Sequence, residues 1–147
     1  MQFKGIVSIQ APRDKVWKSL TDPAFVSQCA PGLEKMEIIV PEEKFRVVAS
    51  VGFGSVKATF STDVEWLELE APNHAKMKAH GSAPGSGMDA TSDMYLSDGS
   101  NGTTELNWQA DVIIVGTIAS LASRLLGSVT QKLTNSFFNC VKAKIEA

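Results

Sequence analysis

Gly116–Ile145 reads GTIASLASRLLGSVTQKLTNSFFNCVKAKI, the one long helical pattern in the chain. After Gly116 it holds no proline and a single glycine, Gly127. At about 100° per residue, Leu121, Ala122, Leu125, Leu126, Val129, Leu133, Phe137 and Cys140 form a broad apolar stripe. Arg124, Ser128, Gln131 and Lys142 fall on the opposite side. A stripe of that length has to be laid on something. The stretches before it are short and alternate between apolar and polar residues, so the partner is a sheet. The expected fold is α+β: a curved antiparallel sheet wrapped around one long C-terminal helix.

Working outward, Phe3, Val7 and Ile9 alternate with Lys4, Ser8 and Gln10, a first strand with one buried face. Ala11-Pro12 stops it and presets a helical turn carrying Val16, Trp17 and Leu20. Asp22-Pro23 is a second start signal, an N-cap aspartate followed by proline, and Pro31-Gly32 ends the short helix through Cys29. These two helices form a clasp at one end of the sheet. From Leu33 to Val115 the pattern is strands and turns. Gly52-Phe53-Gly54 suits a tight hairpin, and Asp98-Gly99-Ser100-Asn101-Gly102 another. Val56, Ala58, Phe60, Val64 and Trp66 share a face; Leu67 and Leu69 break the phase, which places a bulge near Trp66. The predicted order is β, α, α, six β, α, seven strands in a single domain over 1–147.

The bulk chemistry removes several functions. A net charge of −2 and a pI near 5.7 give no nucleic-acid footprint. No basic run offers an electrostatic membrane anchor, no window is long and apolar enough to span a bilayer, and the N-terminus lacks a signal core. Cys29 and Cys140 fit no metal spacing and read as small buried hydrophobes rather than a disulfide, with a cytoplasmic location as the default.

Ala58, Ala79, Ala90, Ser92 and Ala110 are small yet fall on the phase facing the long helix. Two readings follow. The space is filled by Met77, Met88, Met94 and Trp108 with the helix closely approached, or it stays open for a ligand. In the second reading the ligand site draws on Phe60, Met77, Met88, Ala90, Met94, Trp108 and Ala110 from the sheet. The helix contributes Leu121, Leu125, Val129, Leu133 and Phe137.

Several ordered motifs together resemble a known family. They are Ala11-Pro12 with Val16-Trp17, Asp22-Pro23, Cys29-Ala30-Pro31-Gly32, Gly52-Phe53-Gly54 with Val56 and Phe60, and Gly85-Ser86-Gly87 with Ala90. Gly102-Thr103 with Leu106 and Trp108 follows, then Val115-Gly116 through Ile118-Ala119 to Arg124-Leu125, and Phe137-Phe138. Over nearly the whole chain the sequence is similar to the carbon monoxide dehydrogenase G-subunit family, within the START-like, or SRPBCC, helix-grip superfamily that also contains polyketide cyclases. It departs from the family in the run after Gly116, Thr117-Ile118-Ala119-Ser120-Leu121-Ala122, and in ending at Ala147 where many members extend. The resemblance implies a non-catalytic accessory protein, without a resident cofactor. It would hold a quinone or lipid for a carbon monoxide dehydrogenase-like molybdenum hydroxylase, with at most transient contact at the inner face of the cell membrane.

The residue chemistry agrees with a binding role more than with catalysis. A cyclase-like enzyme needs acid or base groups inside the cavity. Asp89, Asp93 and Asp111 lie on the opposite phase and are expected to face water. His80 is also out of phase, His74 follows a Pro-Asn turn, and neither has a companion ligand at metal spacing in the sequence. Trp17 is read as core packing. Phe138 falls off the main stripe, where it covers the sheet end or meets a partner. For Arg124 the resemblance suggests a partner contact. A ligand-free interaction module remains the third reading.

Overall fold

The computed structural model describes residues 1–53 and 55–146. Gly54, part of the expected Gly52–Gly54 hairpin, lies outside the described residues. Strand β1 (Gln2–Ile9) leads into α1 (Arg13–Leu20) and α2 (Pro23–Cys29). Six strands follow: β2 (Leu33–Val40), β3 (Lys44–Phe53), β4 (Val56–Glu70), β5 (His74–Ala83), β6 (Ser86–Asp98) and β7 (Thr104–Gly116). Helix α3 (Ala119–Ile145) closes the chain. The strands form one antiparallel sheet in the order β1-β7-β6-β5-β4-β3-β2, so β1 and β2 are its edges.

Local signals act as their chemistry predicts. The Asp22 carboxylate accepts from the Ala24 backbone N–H at 3.0 Å, with Pro23 in the first helical turn. The β4–β5 register shifts between Trp66 and Glu68. That bulge keeps Leu69 opposite the buried Ala75 and sets Glu68 and Glu70 opposite Lys76 and His74. Gly116 takes φ +96°, and a Cβ there would collide with the Gly85 carbonyl oxygen, so only glycine lets β7 turn into the helix so close to the β5–β6 loop.

Helix α3 rests on two packed clusters. Under its first turns, Ala122 and Leu126 meet Ala58 and Phe60, with Met88, Leu121, Leu125 and Val129 packed around them. Under its last turns, Val141 and Ile145 are buried with Ile9, Val16, Leu20 and Leu106. The far end is also tied by polar bonds. Gln10 N–H donates to Glu146 Oε2 at 2.9 Å, and Lys15 Nζ donates to the Ile145 carbonyl at 2.8 Å.

One expectation is overturned. Cys29 and Cys140 are joined in a disulfide, with Cα atoms 5.5 Å apart across a sequence separation of 111. The end of α2 and the last third of α3 meet only in the fold, so spacing along the chain carried no sign of it. The two cysteines therefore lend no support to a cytoplasmic location.

Candidate functional site

Between the two clusters the middle of α3 stands off the sheet over a cavity of about 400 Å³. Its floor comes from adjacent strands in register. Ala75 on β5 lies opposite Met94 on β6, Met94 opposite Trp108 on β7, and Met77 opposite Ser92. Ala75 and Ser92 are too short to reach the helix, and the gap opens above them. Leu133, Thr134, Phe137 and Phe138 form the roof. Phe137 and Phe138 meet edge to face at 5.1 Å, so the ring off the main stripe also turns inward. The two short helices supply a side wall through Leu20, Val26 and Pro31; Phe45, Val64 and Trp66 come from β3 and β4.

Of the residues expected to line a ligand site, Met77, Met94, Trp108, Leu133 and Phe137 share this wall. Phe60, Met88, Leu121, Leu125 and Val129 lie in the packed cluster under the start of the helix. Ala90 and Ala110 are half-buried and belong to neither group. Ala58, also small, packs tightly beneath the first turns, which is the close-approach reading holding locally. Sequence reading missed Leu20, Val26 and Pro31 because a clasp was expected without its side chains being assigned. It missed Thr134 and Phe138 because a stripe drawn along the apolar residues leaves them out. Trp17 lies in the core, away from this wall.

The lining carries no carboxylate, lysine, arginine or histidine; its only side-chain polar groups are the Ser92 and Thr134 hydroxyls and the Trp108 indole N–H. Trp108 is set by its neighbour on β1. Gly5 is opposite it, and a Cβ there would stand 2.7 Å from the indole Nε1. Glycine thus leaves the ring room to lie flat against the edge strand.

The titratable groups are on the outer face of the sheet. His74 Nδ1 is 2.9 Å from Glu70 Oε1 and 3.6 Å from Glu68 Oε2; Nε2 is 2.8 Å from Asp93. Asp93 is therefore partly shielded rather than fully in water, and His74 does have carboxylate companions. They come from the bulge and from the neighbouring strand, which linear spacing does not display. Glu70, then Asp93, hold the His74 imidazole above its ordinary pKa against the opposing effect of burial. The ring stacks on Tyr95 at 4.5 Å. Glu68, Glu70 and His74 bring three donor atoms within 4.8 Å of one another, but both ring nitrogens already face carboxylates. A proton on the imidazole satisfies that arrangement. His80 meets Asp89 at 2.7 Å in the open.

Residues 5–146 match the G subunit of carbon monoxide dehydrogenase (CoxG). The chain belongs to that family. Comparison with curated protein sequences gives no match. Among solved structures, a conserved protein from Geobacillus kaustophilus superposes with a TM-score of 0.91 at 24% identity, covering 99% of this chain and 95% of that one. The ZhuI aromatase/cyclase from Streptomyces sp. R1128 gives 0.76 at 18% identity, covering 99% and 93%. A START superfamily protein from Mycobacterium smegmatis gives 0.71 at 10% identity, covering 99% and 97%. At these identities the likeness is one of fold, and this CoxG-family chain has the helix-grip, START-like architecture: a curved seven-stranded sheet around a long C-terminal helix with two short helices after β1. No helix among the described residues is long and apolar enough to cross a membrane.

Proposed function

We propose that this chain binds a hydrophobic molecule, a quinone or a lipid-like compound, in the cavity beneath the middle of α3, and performs no chemistry on it. In this reading it is an accessory protein of a carbon monoxide dehydrogenase-like molybdenum hydroxylase, supplying or receiving the ligand during transient contact with the inner face of the cell membrane. The observation that carries the proposal is the cavity: about 400 Å³ with an almost wholly apolar wall. Ligand pockets typically fall in the range of about 300–1,000 Å³. Interiors pack densely, and a dry gap of this size costs stability unless something fills it. Membership of the CoxG family supports the accessory role.

A cyclase-like reaction is not favoured by the same wall. General acid–base catalysis needs a positioned titratable group, and the lining supplies hydroxyls and an indole instead. The test is mass spectrometry of the organic extract from protein purified out of its own organism. A stoichiometric quinone or lipid is expected. An empty extract, together with no binding when quinone is offered in excess, would contradict the reading.

A further inference from the structure

A second concavity, a groove of about 540 Å³, runs along the outside of the cavity between β1 and α3. Trp108, Thr134 and Phe138 line both spaces, so these three side chains are the partition between an apolar interior and a surface groove. The groove is chemically different from the cavity. Lys4 stands on its β1 side and Lys142 on its helix side, with Gln131, Asn135 and Asn139 along the helix wall. No aspartate or glutamate lines it, in a chain whose net charge is −2. Neither lysine is in an ion pair among the described residues. Because β1 is an edge of the sheet, its outer backbone groups also border this side.

The other cleft that touches the cavity shows that this composition is not general. It shares Phe45 and Trp66 with the cavity wall, but it mixes Lys18 and Lys44 with Asp22, Glu42 and Glu43. Only the β1–α3 groove combines a shared wall with cations of one sign.

We propose that this groove seats the head of an anionic amphiphile whose apolar part occupies the cavity. The ligand class is a chain or ring system bearing a carboxylate or phosphate oxyanion. Lys4 and Lys142 bind that oxyanion by charge-assisted hydrogen bonds while their methylene stems follow the groove walls. The side-chain amides on the helix donate to its remaining oxygens. The Trp108, Thr134 and Phe138 partition lies between head and tail. This inference rests on the cavity being a binding site and adds the class of ligand that the site selects.

The test uses three probes with one chain and three heads: dodecanoate, dodecyl phosphate and dodecanol, measured by calorimetry at low ionic strength. Both anions are expected to bind at least tenfold more tightly than dodecanol. That preference should shrink as salt is added. In Lys4→Gln/Lys142→Gln it should fall to within about threefold, and Lys142→Glu should reverse it. Whichever anion binds more tightly identifies the head as carboxylate or phosphate. Equal affinity of wild-type protein for all three heads would overturn the head site while leaving the cavity reading intact. An anion preference surviving in the double variant would overturn it as well. Failure of all three probes to bind would overturn both.

Discussion

The ends of α3 and its middle obey the same helical periodicity but meet different floors. At the ends, Leu126 lies on Ala58 and Phe60, and Val141 and Ile145 lie on Ile9, Val16 and Leu106, with essentially no solvent reaching Val141. In the middle, Leu133 and Phe137 face Ala75 and Ser92, which cannot reach them. Small residues on the sheet thus have opposite consequences. Under the first turns, Ala58 lets the helix come down. Under the middle, the two packed ends hold the helix at a fixed height, and short side chains leave a gap. A helix held at both ends keeps a cavity that a freely settling helix would close.

The largest expected effects are at the packed ends. Ile145→Ala should cost about 2–5 kcal/mol of unfolding free energy, since it opens a void in a tight cluster. Leu133→Ala trims a side chain already bordering open space and should cost less than about 1.5 kcal/mol, a small loss for a large-to-small core change. Urea unfolding of the two variants checks the contrast, and equal losses would show that the middle is packed as tightly as the end. Next, Cys29→Ser/Cys140→Ser should lower stability by roughly 2–5 kcal/mol, because the disulfide closes a long loop between α2 and α3. A variant as stable as the wild type would argue that the bond does not hold the cavity's side wall to its roof.

Trp108→Ala separates the regions by function. It should weaken binding of a quinone or lipid-like ligand at least tenfold, a loss of the size expected for an aromatic anchor, while costing less stability than Ile145→Ala. Binding untouched by a fall in stability would remove Trp108 from the site.

The smallest effect is electrostatic and lies outside both regions. The His74 pKa is raised in the folded state by Glu70 and Asp93. Its contribution to stability is therefore complete below the unfolded value of about 6.5 and is lost as pH rises through the folded value. Unfolding midpoints measured from pH 5 to 9 should show that decline, flattened in His74→Gln, with ligand affinity unchanged. A midpoint that rises over this window would contradict the pairing.

Much of this architecture can be read from local signals. Gly116 before an apolar stripe, Asp22-Pro23, and the phase break at Leu67 each dictate a backbone event within a few residues of themselves. The cavity is less legible because it depends on cross-strand register. That Ala75 lies beside Met94 and Trp108, or that Ser92 lies beside Met77, follows from turns and a bulge summed along several strands. The same holds for Cys29 with Cys140 and for His74 with Asp93, contacts between elements whose docking angle no periodicity encodes. Among the methionines expected at a ligand site, Met77 and Met94 fall on the cavity and Met88 on the filled cluster, and only the height of the helix tells them apart.

Those methionines give the most direct test of the central claim. Methyl NMR of protein labelled at the methionine ε-carbons, titrated with a short-chain quinone, reads both regions in one sample. The Met77 and Met94 methyls should shift and saturate together at one equivalent while Met88 stays in place. Equal shifts at all three, or a shift at Met88 alone, would contradict a ligand site confined to the gap beneath the middle of the helix.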